Sequence, residues 1–112
     1  MADIPPRAEL LRAAGRLRYA AEAAKEDLKT NGYWSGSPAE TAWRDGVRGG
    51  LGGPAGDLAG LMGPDVALAV AAVLERHANG LAHIHTPENQ EIVVGPHALV
   101  IARSVNRATV IR

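Results

Sequence analysis

The stretch from Pro64 to Gly80, PDVALAVAAVLERHANG, constrains this chain more than any other part of it. Nine consecutive apolar residues, Val66 to Leu74, lie between a proline–aspartate start and an Asn79-Gly80 stop. A helix that is apolar on every side must be buried on most sides. The expectation is a central helix from Pro64 to Asn79, wrapped by its neighbours. Asp65 favours its positive end, and Arg76 and His77 favour its negative end.

Two further segments can supply the wrapping. The first runs from Pro5 or Pro6 to Thr30, with proline in the first turn, where a missing N–H costs nothing. Its apolar positions Leu10, Ala14, Leu17, Ala21, Ala24 and Leu28 step by four and three alternately. That is a heptad seam, widened by Leu11 and Ala20. Asn31-Gly32 stops it. The last helix runs from Pro96 to Asn106 or Ala108, with a stripe of Leu99, Val100, Ala102, Val105 and Ile101. Thr109 to Arg112 is β-prone but too short to assign.

The connections are less regular. Tyr33-Trp34-Ser35-Gly36 reads as a turn, and Ser37-Pro38-Ala39-Glu40 as a capping box that starts a short helix from Pro38 to Arg48. Six of the eleven residues from Gly46 to Gly56 are glycine. At that density an ordered helix is disfavoured, so 46–56 is expected to be an internal linker. Asp57 to Met62 offers one or two helical turns, with Leu58, Leu61 and Met62 on one face. Leu81 to His85 and Glu91 to Val94 could pair as a minor β-hairpin.

Length and charge bound the rest. A chain of 112 residues fits a single domain, 1–112. It has no cysteine, which removes disulfides and thiolate metal sites. Twelve basic side chains balance twelve acidic ones, which disfavours a protein living on nonspecific phosphate contacts. A membrane span needs about 20 apolar residues, and no run here approaches that. The opening residues lack a positive n-region followed by an apolar h-region. The expectation is a cytoplasmic protein without membrane contact and without a cofactor. Arginine far outnumbers lysine, and alanine and glycine dominate, as in products of GC-rich genomes.

Several constellations resemble chemistry. His83 and His85 would share a strand face, and with His77 and His97 they make a conceivable zinc cluster; set against that is a scatter of helix-end and loop histidines. Gly50 to Ala55 matches a loose GxGxxA, but no buried strand precedes it, so a linker is the simpler reading. Arg7, Arg12, Arg16 and Arg18 crowd the first half of the long helix, and Arg12 and Arg16 share a face. They could meet phosphates, or they form a solvated face. Asp45 and Asp57 have no nucleophile beside them, and Ser35, Ser37 and Ser104 no nucleophile elbow. Tyr33 and Trp34 either plug the core edge or anchor a partner.

The segments GPDVALAVAAVLE (Gly63 to Glu75) and PHALVIARSVN (Pro96 to Asn106), with the alanine-rich helix Leu10 to Arg18, resemble a pattern in small uncharacterised proteins of actinobacteria and their phages. The likeness spans about half the chain; Tyr33-Trp34 matches that group's Pro-Trp only in part, and the glycine run departs from it. The resemblance implies a phage or mobile-element accessory protein and carries no activity.

These observations predict a mainly α fold, a small helical bundle around a buried central helix. The function expected is a noncatalytic protein-interaction module that binds a host protein or a second copy of itself. Its contact residues would be Leu10, Leu17, Leu28, Tyr33 and Trp34. The alternatives are nucleic-acid binding through the four arginines of the first helix and a histidine metal site.

Overall fold

A computed structural model describes residues 4–108. They form six α-helices: α1 (Pro6–Thr30), α2 (Ala42–Leu51), α3 (Gly53–Leu61), α4 (Pro64–Gly80), α5 (Pro87–Val93) and α6 (Pro96–Ala108). A 3-10 helix, Gly32–Gly36, follows α1. No strand occurs among the described residues, and the fold is mainly helical. By their contacts the residues fall into two compact units, Met1–Arg18 with Ala69–Arg112 (the flanking unit) and Tyr19–Leu68 (the middle unit). Among the described residues no single helix is long and apolar enough to cross a membrane.

The flanking unit has an aliphatic core. Leu10, Ala13 and Ala14 of α1 meet Ala71, Leu74 and Ala78 of α4, with Leu81, Val94 and the α6 residues Ala98, Leu99 and Ala102. Leu17, Val70, Ile84 and Val105 pack against this cluster, half-buried. The α4 residues enter at 71, 74 and 78, a spacing that makes one stripe of a helix. The opposite face is bare, with Val73 48% exposed. The apolar run is thus buried along one stripe and not wrapped on every side. Alanine and valine make this tolerable, because a small side chain leaves little apolar area in water. On α6, Val100 and Ile101 likewise stay exposed.

The expected hairpin over 81–94 is replaced by a turn and a helix. The Thr86 hydroxyl accepts from the Asn89 N–H at 3.2 Å, and Pro87 follows at the first helical position, so this stretch carries a helix start. Gln90 of α5 is the buried polar residue of the core. Its Oε1 accepts from the Arg7 N–H at 3.0 Å, and its Nε2 donates to the Ile84 carbonyl at 2.8 Å. The first bond ties the start of α1 to α5, the second ties α5 to the turn before it, and together they give both ends of the amide a partner.

The middle unit departs most from expectation. The stretch 46–56 is not a linker: α2 runs through Gly46, Gly49 and Gly50 to Leu51, and α3 starts two residues later. The break is confined to Gly52 and Gly53, whose φ angles of 71° and 61° suit glycine alone. Tertiary contact offsets the poor helix propensity at Gly46, Gly56 and Gly60. A Cβ on Gly56 would sit 3.3 Å from the Arg48 Cα, and one on Gly60 would sit 3.3 Å from the Arg44 carbonyl. Glycines at i and i+4 of α3 therefore let it lie close against the backbone of α2, and an Arg48–Asp57 ion pair at 2.9 Å joins the two helices. The capping box also fails. Ser37 ends the 3-10 helix, residues 39–41 turn, and α2 begins only at Ala42. The Thr41 hydroxyl sits 3.5 Å from the Pro38 carbonyl instead. The β-prone Thr109 to Arg112 lies outside the described residues.

Candidate functional site

Tyr33, Trp34 and Trp43 of the middle unit are fixed by one another and by polar partners. Trp34 stacks on Trp43 with ring centroids 5.5 Å apart and planes 13° apart. Tyr33 meets the Trp34 ring edge-on at 5.0 Å. The Trp34 indole N–H donates to the Asp27 carboxylate at 2.7 Å, the Tyr33 hydroxyl to the Gly46 carbonyl at 2.7 Å, and the Trp43 indole to the Ala59 carbonyl at 3.2 Å. Gly46 is where the Trp34 ring lands, since a Cβ there would come within 2.7 Å of Cε3. Trp34 is half-buried, whereas Tyr33 is largely exposed.

Asp45 collects hydrogen bonds beside this cluster. Hydrogen bonding from Thr41 above all, with Arg44 and Ser37, holds its carboxyl below the ordinary aspartate range against the opposing effect of burial. A groove of about 470 Å³ opens nearby, lined by Lys25, Leu28, Lys29, Trp43, Arg44 and Asp65 among others. Lys25 lies 3.8 Å from Asp65, and Arg44 is 3.3 Å from Asp45. The groove is lined by charges of both signs, Lys25, Lys29 and Arg44 with Glu40 and Asp65.

The seam residues separate in the structure. Leu10 is completely buried in the flanking unit's core, and Leu17 packs half-buried against it. Leu28 lines the groove of the middle unit. Another exposed apolar group lies elsewhere. Leu58 and Leu61 of α3 are 65% and 68% exposed, Met62 at its C-cap is 54% exposed, and Leu51 at the end of α2 is 65% exposed. Sequence spacing puts Leu58, Leu61 and Met62 on one face but does not say that the face looks outward. In the flanking unit Ile92, Val93 and Val100 are also well exposed.

The four arginines of α1 do not form one surface. Arg18 makes a two-pronged ion pair with Glu75, with Nε 2.8 Å from Oε2 and Nη2 on Oε1. That pairing holds the Glu75 carboxyl below the ordinary glutamate range, against the opposing effect of burial. Arg7 is half-buried, and its Nε is sequestered without a hydrogen-bond partner. Arg12 and Arg16 instead join Arg103 and Arg107 of α6 around a second cleft. Sequence reasoning passed over those last two because they lie far along the chain; their helical spacing of four residues was the available signal.

The histidines are dispersed. His83 and His85 line a shallow cleft with Ile92 and Val93, His77 lies under Gly95, and His97 is in the first turn of α6. No group of three or more His, Asp or Glu able to hold a metal ion occurs among the described residues.

Comparison with known proteins finds no matching family model, curated protein or solved structure. The functional reading therefore rests on the chain's own surfaces.

Proposed function

We propose that this chain is a noncatalytic protein-interaction module whose contact face is the outer side of α3. One observation carries the reading: Leu58 and Leu61, three residues apart on α3, and Met62 at its C-cap are each more than half exposed. Contiguous apolar surface of this kind marks contact sites on soluble proteins. Covering each of these side chains would contribute about 1–2 kcal/mol of gross apolar burial. The opposite side of α3 is already held on α2 through Gly56 and Gly60, so the face is presented on a fixed support. The partner that fits is another protein chain offering an apolar helix face, either a host protein or a second copy. The composition and the likeness to small actinobacterial and phage proteins support an accessory role in the cytoplasm.

The test compares the full chain with a Leu58→Asp/Leu61→Asp variant, whose changed side chains face water. Light scattering across a concentration series reads self-association, and capture from host lysate reads a foreign partner. The reading expects a complex in one of the two measurements that the variant loses. Wild type that stays monomeric and captures nothing the variant does not would overturn it.

A further inference from the structure

The cleft between α1 and α6 in the flanking unit gathers four arginines, Arg12, Arg16, Arg103 and Arg107, with Glu9 and Asn106, around about 360 Å³. Like charges so close repel unless something compensates them. Part of the compensation is visible. Arg103 places Nε 3.0 Å from Glu9 and Nη2 3.2 Å from Glu91. Partial burial works against its charge, but Glu9 and then Glu91 outweigh that and raise its pKa. Both nearby carboxylates are thus engaged by one guanidinium. Arg16 donates to the Asn106 carbonyl and to its Oδ1, each at 3.3 Å, which sets its fork at the cleft wall. Asn106 is held in turn by its bond to the Glu9 carbonyl at 3.1 Å.

Arg12 and Arg107 are different. Both are exposed, and neither has an ion-pair partner among the described residues. Arg107 sits in the last turn of α6, where a cation suits the negative helix end. That accounts for one arginine and not for Arg12, which lies mid-helix on α1. Two half-buried guanidinium groups in set positions, beside two adaptable ones, form a site for a compact polyvalent anion.

We infer that this cleft binds a phosphate group, with Arg12 and Arg107 closing on it against the wall formed by Arg16 and Arg103. Guanidinium forks match phosphate oxygens two at a time. A tetrahedral anion can take forks from both helices, whereas a planar carboxylate presents one edge. The volume lies at the small end of ligand clefts, fitting a mono- or diphosphate. The same chemistry is offered by a small phosphorylated molecule or by a nucleic-acid backbone. The chain's zero net charge favours the first, since strand binding depends on extended basic surface.

The experiment follows the arginine Nε–Hε NMR signals of the full chain during titration with pyrophosphate and, separately, with a short single-stranded oligonucleotide. Arg12→Gln/Arg107→Gln is the test variant and Lys29→Gln, in the other unit, the control. Saturable shifts at Arg12, Arg16 and Arg107 are expected in the millimolar range or tighter. The double variant should weaken binding about tenfold or more, and the control should leave it unchanged. An oligonucleotide that binds no tighter than pyrophosphate identifies a small phosphorylated ligand. One that binds far tighter, with steep salt dependence and the same loss in the variant, makes the phosphate a strand's. No saturable shift with either probe, or shifts retained in the double variant, overturns the inference.

Discussion

The flanking unit and the middle unit solve the same packing problem with different side chains. The first buries Leu10, Leu74, Leu81 and Leu99 among alanines, and its core contains no aromatic ring. The second contains every tyrosine and tryptophan of the chain, and it buries Ala21, Ala42, Gly56, Gly60 and Pro64. In the flanking unit, stability follows removal of aliphatic area from water, which is roughly proportional to area and insensitive to direction. In the middle unit it depends on close backbone approach and on rings that must sit at particular glycines. The lesson is that glycine-rich sequence need not be a connection. Where a neighbouring ring or backbone occupies the space of a Cβ, glycine is the residue that permits the contact.

That contrast can be broken by measurement. The largest effect is expected from Leu74→Ala, which deletes a fully buried leucine of α4. Such deletions cost about 2–5 kcal/mol. Urea unfolding followed by circular dichroism should move to lower midpoint, while tryptophan emission, which reports only the middle unit, moves less. Coincident shifts would erase the distinction between the units.

A smaller effect separates glycines within α2. Gly46→Ala drives a methyl into the Trp34 ring and should destabilise by about 1–3 kcal/mol. Gly49→Ala meets nothing within 4 Å and should stabilise, by about 0.5–1 kcal/mol, through helix propensity. Tryptophan emission should be disturbed by the first and unchanged by the second. If both behave alike, the close-packed account of the middle unit fails.

The smallest effect concerns acid. The Glu75 carboxyl is depressed by Arg18, so its contribution is complete above its unfolded pKa of about 4.3 and is lost as pH falls through the lower folded value. Glu75→Gln should therefore lower stability at neutral pH and flatten its decline on the acid side. Asp45→Asn should do the same in the middle unit, where Thr41 and then Arg44 and Ser37 depress the carboxyl. Parallel acid limbs in wild type and both variants would show that neither carboxylate couples to folding.

Part of this was written in the chain order. The bounds of α1, α4 and α6 follow from proline at the first turn and from three- and four-residue apolar spacing, signals that survive in any context. Thr86-Pro87 marked a helix start as clearly, yet β-prone Ile92 to Val94 masked it. Local residues also put Leu58, Leu61 and Met62 on one side of a helix, and Arg12 beside Arg16. What they could not give was direction. Whether the α3 face looks outward, whether Arg103 and Arg107 come to meet Arg12 and Arg16, and whether glycines at 46, 56 and 60 are loose or essential depend on residues distant in sequence. The residues alone determined periodicity and helix ends, because those are set by neighbours within one or two turns. Only tertiary packing decided which stripe of α4 is covered and which glycines are filled by rings, because burial is a property of the partner surface.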